Sequence, residues 1–186
     1  MIDANRLRKG TTFEEGNDLF KVLDYSHHKM ARGGATIRTK VINLRTGAIT
    51  EKTFNSGERV QDIRLDHQEV QYLYNDGALY HFMNTETYEQ PALSKDVLAG
   101  VISYLVDGLV VKLSTYNGEP IDIELPPTVD LEVIDGEPGF AGDTATDASK
   151  SVTVSTGLEV QTPLFVNIGD TIRIDTRTGT YVTRVS

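Results

Sequence analysis

Nine residues, His27-His28-Lys29-Met30-Ala31-Arg32-Gly33-Gly34-Ala35, bring two imidazoles, an ammonium and a guanidinium together beside a pair of glycines. Lys29 supplies a compact point charge. Arg32 offers a rigid fork of donors that matches phosphate oxygens or stacks on a base. Gly33 and Gly34 permit a tight reversal and let the backbone come close to a ligand. This is the chemistry of holding an anion rather than of making bonds. The plain alternative is a solvated hairpin tip.

Bond-making chemistry has little to draw on elsewhere. The chain has four histidines, His27, His28, His67 and His81, and no cysteine. Neighbours on a strand point to opposite faces, so His27 and His28 cannot both ligate one metal from regular β geometry, and no HExxH pattern occurs. Without cysteine there is no disulfide, thiolate nucleophile or thiolate metal cage. No G-x-S-x-G elbow frames a serine. Gly136, Gly139 and Gly142 form a loose run without the strand-to-helix setting of a dinucleotide site, and no P-loop motif is present. The many carboxylates read as solvated strand faces. No catalytic residue, metal or cofactor is expected, and the chain does not read as an enzyme.

The elements that must position the cationic segment read as β-strands. Leu19–Ser26 and Thr36–Ile42 flank it as the two arms of a hairpin. Strand signals recur every 8–12 residues or so along the chain, as sandwiches and barrels require. Turns punctuate them at Glu15-Gly16-Asn17-Asp18, Thr46-Gly47, Asp76-Gly77, Asn117-Gly118 and Thr178-Gly179, where Gly and Asn tolerate positive φ. Val70, Tyr72 and Tyr74 share one expected face against Gln71 and Leu73, and Ile172 and Ile174 share another against Arg173 and Asp175. Ser94–Leu98 alone looks like a short helical turn. The polar stretch Asp62–Gln68 and the stiff Pro126-Pro127 pair mark two boundaries. They divide the chain into blocks 1–64, 65–127 and 128–186. A block of about 60 residues with some five strands protects its edges by closing into a small barrel. Asp135–Ser149 is the longest segment without strand pattern, and loops of that length are often functional.

Composition sets the outer limits. The 186 residues are 39% apolar and 24% charged, with a net charge of −9, which fits a globular domain and excludes the disordered class. No stretch reaches the roughly 18–20 apolar residues of a spanning helix, and the start MIDANRLRKG lacks the apolar core of a secretory signal. A soluble, cytoplasmic protein with no membrane partner is therefore expected. The charge is uneven: residues 1–45 carry nine Lys/Arg against five Asp/Glu, and the other 141 carry nine against twenty-two. One basic end on an acidic body suits delivery to a phosphate-rich site without indiscriminate nucleic-acid binding. Chance asymmetry on a solubilising surface is the plain alternative.

Over nearly its whole length the chain resembles bacterial translation elongation factor P. The likeness is carried by the tip 29–35, by Phe54-Asn55-Ser56-Gly57-Glu58, Tyr72-Leu73-Tyr74, the run Phe82–Gln90 and Pro126-Pro127-Thr128-Val129. In the last block it is carried by Gly142-Asp143-Thr144, Lys150, Ser155-Thr156-Gly157, Pro163–Val166, Gly169-Asp170, Ile174–Gly179 and Tyr181. The resemblance implies an all-β chain of three small β-barrels, an SH3-like (KOW-type) domain and then two OB-like domains, in an L-shaped, tRNA-like arrangement. It implies a monomer that binds the 70S ribosome between the peptidyl and exit sites. There it would promote peptide-bond formation at stalled polyproline sequences, with peptidyl-tRNA and ribosomal RNA as partners. The family's tip residue maps onto Arg32, with Lys29, His28, Gly33 and Gly34 around it at the tRNA acceptor end. The Gly142-Asp143-Thr144 loop maps onto the contact with messenger in the exit site.

The chain departs from the family pattern in places. Met30 and Ala31 replace a common Pro-Gly, and Val152 and Thr162 stand where alanine and valine are usual. Arg32 replaces a lysine that many members carry in β-lysylated or 5-aminopentanolylated form. The loop also differs from that of the rhamnosylated arginine members. An unmodified Arg32 or an unnamed modifying enzyme acting on it is expected. Two other readings are a generic single-stranded RNA-binding OB-fold protein, using Tyr72, Tyr74, Tyr80, Phe82 and Tyr88 as stacking platforms, and an elongation factor P-like paralogue. Those aromatics are otherwise expected in the core.

Overall fold

A computed structural model of the chain describes residues 1–29, 31, 33–138 and 148–186. The strand pattern of the first block forms a six-stranded antiparallel sheet of β1 (Ile2–Asp3), β2 (Thr12–Glu15), β3 (Asp18–His28), β4 (Thr36–Asn43), β5 (Ile49–Asn55) and β6 (Arg59–Asp62). Its order is β1-β6-β2-β3-β4-β5. A second, five-stranded sheet runs β11-β10-β7-β8-β9. It comprises β7 (Asp66–Asn75), β8 (Tyr80–Asn84), β9 (Ala92–Leu93), β10 (Val110–Tyr116) and β11 (Glu119–Glu124). The third runs β14-β13-β12-β15-β16, with β12 (Thr128–Gly136), β13 (Ser149–Val154), β14 (Glu159–Pro163), β15 (Thr171–Asp175) and β16 (Thr180–Arg184). The all-β expectation holds.

By packing, the chain divides into two compact units, Met1–His67 with Leu113–Asp122, and Gln68–Lys112 with Ile123–Ser186. In the first, Phe13 is fully buried. Its ring stacks on Phe20 at 5.5 Å and meets Phe54 edge-on at 5.9 Å. Val22, Ile37 and Val41 from alternate positions of β3 and β4 complete that core. Within the same unit, Lys21 reaches Asp122 at 3.3 Å and Arg45 reaches Glu119 at 3.1 Å.

In the second unit, alternate residues of β12, β13 and β15 supply the core, namely Val129, Leu131 and Val133, Val152 and Val154, and Ile172 and Ile174. Arg173 and Asp175 lie on the opposite face, as the alternation predicts, and Arg173 grips Asp130 across the ladder at 2.8 and 3.0 Å. Thr162 is buried with its hydroxyl donating to the Lys150 carbonyl at 3.5 Å, which satisfies the polar group there. Pro126-Pro127 falls between β11 and β12, and the Thr176 hydroxyl bonds to both proline carbonyls, at 2.5 and 3.1 Å.

Lys95–Gly100 forms hydrogen-bonded turns, with the Leu98 amide donating to the Lys95 carbonyl at 3.2 Å, in keeping with the short helical turn read over Ser94–Leu98. It is not the only one: two unanticipated 3-10 turns occur, Ala4–Arg6 and Ile102–Tyr104. The first is capped by the Asp3 carboxylate, which accepts the Asn5 amide at 2.8 Å. The β7–β8 register shifts between Tyr72 and Tyr74. That bulge breaks the period of two, so Val70 and Tyr72 are buried while Tyr74 is 53% exposed. Of the proposed core aromatics, Phe82 is buried with Tyr72, but Tyr74 and Tyr88 are on the surface.

Candidate functional site

β3 is eleven residues long, and β2 covers only Asp18–Lys21 of it. The outer part keeps β4 as its ladder partner through His28↔Thr36. β4 is in turn backed by β5 from Thr36↔Asn55 to Ile42↔Ile49. The hairpin therefore extends beyond the sheet's shorter strands, with its last rung at the residues that flank the cationic segment. A register shift between Val22 and Asp24 makes Leu23 the extra residue and re-aims the outer half of β3.

The two faces of this outer half differ. On one, the Tyr25 ring is half-buried against the core, with the His27 ring edge-on at 5.8 Å and the Arg8 guanidinium 5.0 Å above it. Arg8 is itself fixed, because its Nη1 donates to the Asn5 and Leu7 carbonyls at 2.9 and 2.8 Å. On the other face, Ser26 Oγ lies 3.1 Å from His28 Nε2. There Asp24, Ser26, His28, Arg38, Lys40 and Glu51 line a shallow depression of about 240 Å³.

Register sets the electrostatics of that face. Lys40 has Asp24 across one ladder and Glu51 across the other. Two residues outward on the same face, Arg38 has Ser26 and Thr53, both neutral. Two residues further out, His28, Thr36 and Asn55 align. Among the described residues, Lys40 is matched by a carboxylate on each side, whereas Arg38 has only neutral ladder partners; Lys29 is exposed further out, and Glu58 Oε2 accepts the Asn55 amide at 2.9 Å on the outermost rung. Directly opposed charges offset one another across a ladder. Arg38 is therefore the cation of this face that no carboxylate opposes across the ladders, and it suits a phosphate.

Of the residues singled out by sequence, His28, Lys29, Gly33 and Gly34 are exposed at this end of the hairpin. A Cβ at Gly34 would meet no atom within 4 Å, so space does not require a glycine there. Arg32 lies outside the described residues, as do Gly142, Asp143 and Thr144. Sequence reading missed Arg38, Lys40, Tyr25 and Arg8. Counting rungs back from the glycine pair would have found Arg38, because strand pairing puts it beside Ser26. Arg8 carries no such signal, since its contact crosses from a different element.

Comparison with known proteins reports on the whole chain. Residues 3–60 match the family model for the elongation factor P KOW-like domain, 65–123 that for its OB domain, and 129–184 that for its C-terminal domain. Elongation factor P of Thermoanaerobacter sp. (strain X514) is 50% identical over 185 residues, covering all of both chains. That of Moorella thermoacetica is 48% identical over 184 residues, covering 99% of this chain and all of the relative. Among solved structures, eukaryotic translation initiation factor 5A from Methanococcus jannaschii superposes with a TM-score of 0.53 at 21% identity, over 67% of this chain and 91% of that one, a likeness of fold. Three consecutive family models and near-half identity from end to end leave one conclusion: the chain belongs to the elongation factor P family of translation factors.

Proposed function

We propose that the protein associates with the ribosome between the peptidyl and exit sites and promotes peptide-bond formation at stalled polyproline sequences by positioning the peptidyl-tRNA. The observation that carries this reading is the pair of cations towards the end of the β3–β4 hairpin, where Arg38 has only neutral ladder partners and Lys29 is exposed beyond the last rung. Arg32 and Lys29 contact backbone phosphates or 2′-hydroxyls at the acceptor end, each charge-assisted contact contributing about 1.5–3 kcal/mol. His28, held by Ser26, supports the base of the tip. Gly33 and Gly34 keep the backbone free of side chains beside the RNA. Gly142, Asp143 and Thr144 approach the messenger in the exit site.

The factor supplies no acid, base or nucleophile. Proline fixes φ and reacts as a hindered secondary amine, so the stalled step is limited by placement of the reacting ends. Pinning one of them recovers orientation entropy, and the ribosome's own RNA performs the reaction. The proposed domain limits are 1–64, 65–127 and 128–186, and the protein works as a cytoplasmic monomer. Arg32 acts unmodified or after a modifying enzyme has extended it, which intact-mass measurement of the native protein decides. The reading is tested by translating a polyproline reporter with the wild type and with Arg32→Ala. Rescue by the wild type and loss in the variant support it; equal rescue by both removes the tip from the mechanism.

A further inference from the structure

Tyr88 holds a left-handed backbone, φ +61°, with its side chain 70% exposed. Among the described residues the other non-glycine with positive φ is Asn117, φ +50°, in an Asn-Gly turn where that residue type is tolerated. Tyrosine has no such tolerance. The Tyr88 amide donates to the Asn84 carbonyl at 3.0 Å, and the position closing this five-residue turn is one that glycine or asparagine usually takes. The ring gains no burial in return. A strained residue persists where its surroundings over-determine it, and such residues concentrate at sites of function. Here the surroundings are identifiable. Asn84, 6% exposed, accepts the amides of Glu86 and Thr87 at 2.8 and 3.0 Å and donates to Gln68 Oε1 at 2.5 Å. Its backbone amide also donates to the Glu89 carbonyl at 2.8 Å.

The turn also has a definite charge. Glu86 and Glu89 flank Tyr88 and are exposed, and no cation among the described residues pairs with either. No lysine or arginine occurs from Asn75 to Ser94. An exposed ring with one exposed carboxylate two residues before it and another directly after it repels a phosphate backbone. It matches a guanidinium, which stacks on the ring while its fork reaches a carboxylate. We infer that Tyr88, with Glu86 and Glu89, is a docking point for an arginine-bearing segment of a protein partner. The inference stands on this turn alone and does not depend on the hairpin's role at the tRNA.

The full-length protein is titrated by NMR with the peptide Gly-Arg-Gly-Arg-Gly, its lysine counterpart and a uridine hexanucleotide, with the Tyr88 ring signal assigned by its loss in Tyr88→Phe. The arginine peptide shifts that signal, the lysine peptide shifts it less, and Glu86→Gln with Glu89→Gln weakens the arginine peptide by about threefold or more. No shift, a shift with the nucleotide alone, or indifference to the two glutamates overturns the inference. A second measurement uses Tyr88→Gly, which relaxes the backbone and keeps or raises the thermal midpoint. Its affinity for purified ribosomes falls about threefold or more while Tyr88→Phe retains it. Wild-type affinity in Tyr88→Gly also overturns the inference. If the wild type fails to bind ribosomes, the proposed function fails instead, and the peptide titration still decides this site.

Discussion

Arg38 stands directly across the β3–β4 ladder from Ser26, two residues outward from the Asp24–Lys40 pair and on the same face. The two cations on this face are therefore unequal. Lys40 sits between carboxylates on both neighbouring strands, whereas Arg38 sits between two hydroxyls. A phosphate brought to the depression beside them meets an available charge at Arg38. In a polyproline translation assay, Arg38→Ala should lower the rate of rescue by about threefold to tenfold, less than a full charge-assisted contact gives because solvent screens the exposed face. Lys40→Ala should change it little. Equal effects of the two substitutions would show that total charge, not register, governs the face.

Asn84 is the organising residue of the turn that carries Tyr88. Its buried amide side chain is bonded on both ends, to Glu86 and Thr87 amides and to Gln68. Asn84→Ala strands those groups and should cost about 1–3 kcal/mol in denaturant unfolding. Asn84→Asp keeps the acceptor oxygen but loses the donor to Gln68, and should cost less than alanine.

At the β7–β8 turn, Asp76 accepts from His81 Nε2 at 2.8 Å and from the Leu79 and Ala78 amides at 2.8 and 2.9 Å. The His81 bond first, and then those amides, hold its carboxyl well below the usual carboxylate range. A depressed acid contributes stability above its unfolded pKa and loses it as pH falls through the folded value. The thermal midpoint of the wild type should exceed that of Asp76→Asn at neutral pH. The gap should narrow as the pH is lowered below about 4, the ordinary aspartate value. A gap that widens in acid would refute the assignment.

Phe13 anchors the first core through Phe20 and Phe54. Phe13→Ala removes the largest fully buried ring of that sheet and should cost about 3–5 kcal/mol by chemical denaturation. Phe13→Leu should cost much less, because it keeps most of the volume and loses only the aromatic contacts.

A tighter constraint lies at Gly136, where a Cβ would meet Val152 Cγ1 at 3.0 Å. Val152 is itself fully packed, so it cannot yield without disturbing β13. Gly136→Ala should therefore destabilise the protein by about 1–3 kcal/mol, the usual cost of overpacking. Pairing it with Val152→Ala should restore part of the loss, measured as coupling in a double-mutant cycle.

Strand alternation and turn chemistry were legible from the residues themselves. The arms of the β3–β4 hairpin lie where the apolar spacing put them, each within two residues, and Gly16, Gly47, Gly77, Gly118 and Gly179 all take positive φ at the turns. These features depend on neighbours a few residues apart, which any window of sequence contains. Tyr74 shows the limit. A single bulge after Tyr72 moves it from the core to the surface, and nothing in the alternation announces the extra residue. Arg8 over Tyr25 and Tyr104 in the core beside Ile172 show the same limit over longer distances.

The residues alone determined that the chain is all-β, that its cations gather near the first hairpin, and that its ordered motifs match one family of translation factors. The tertiary structure decided which of those cations are compensated, because opposite charges cancel only when strand register sets them face to face. It also decided that Tyr88 is held outward in a strained turn. Both outcomes depend on pairings between residues that distance along the chain does not specify.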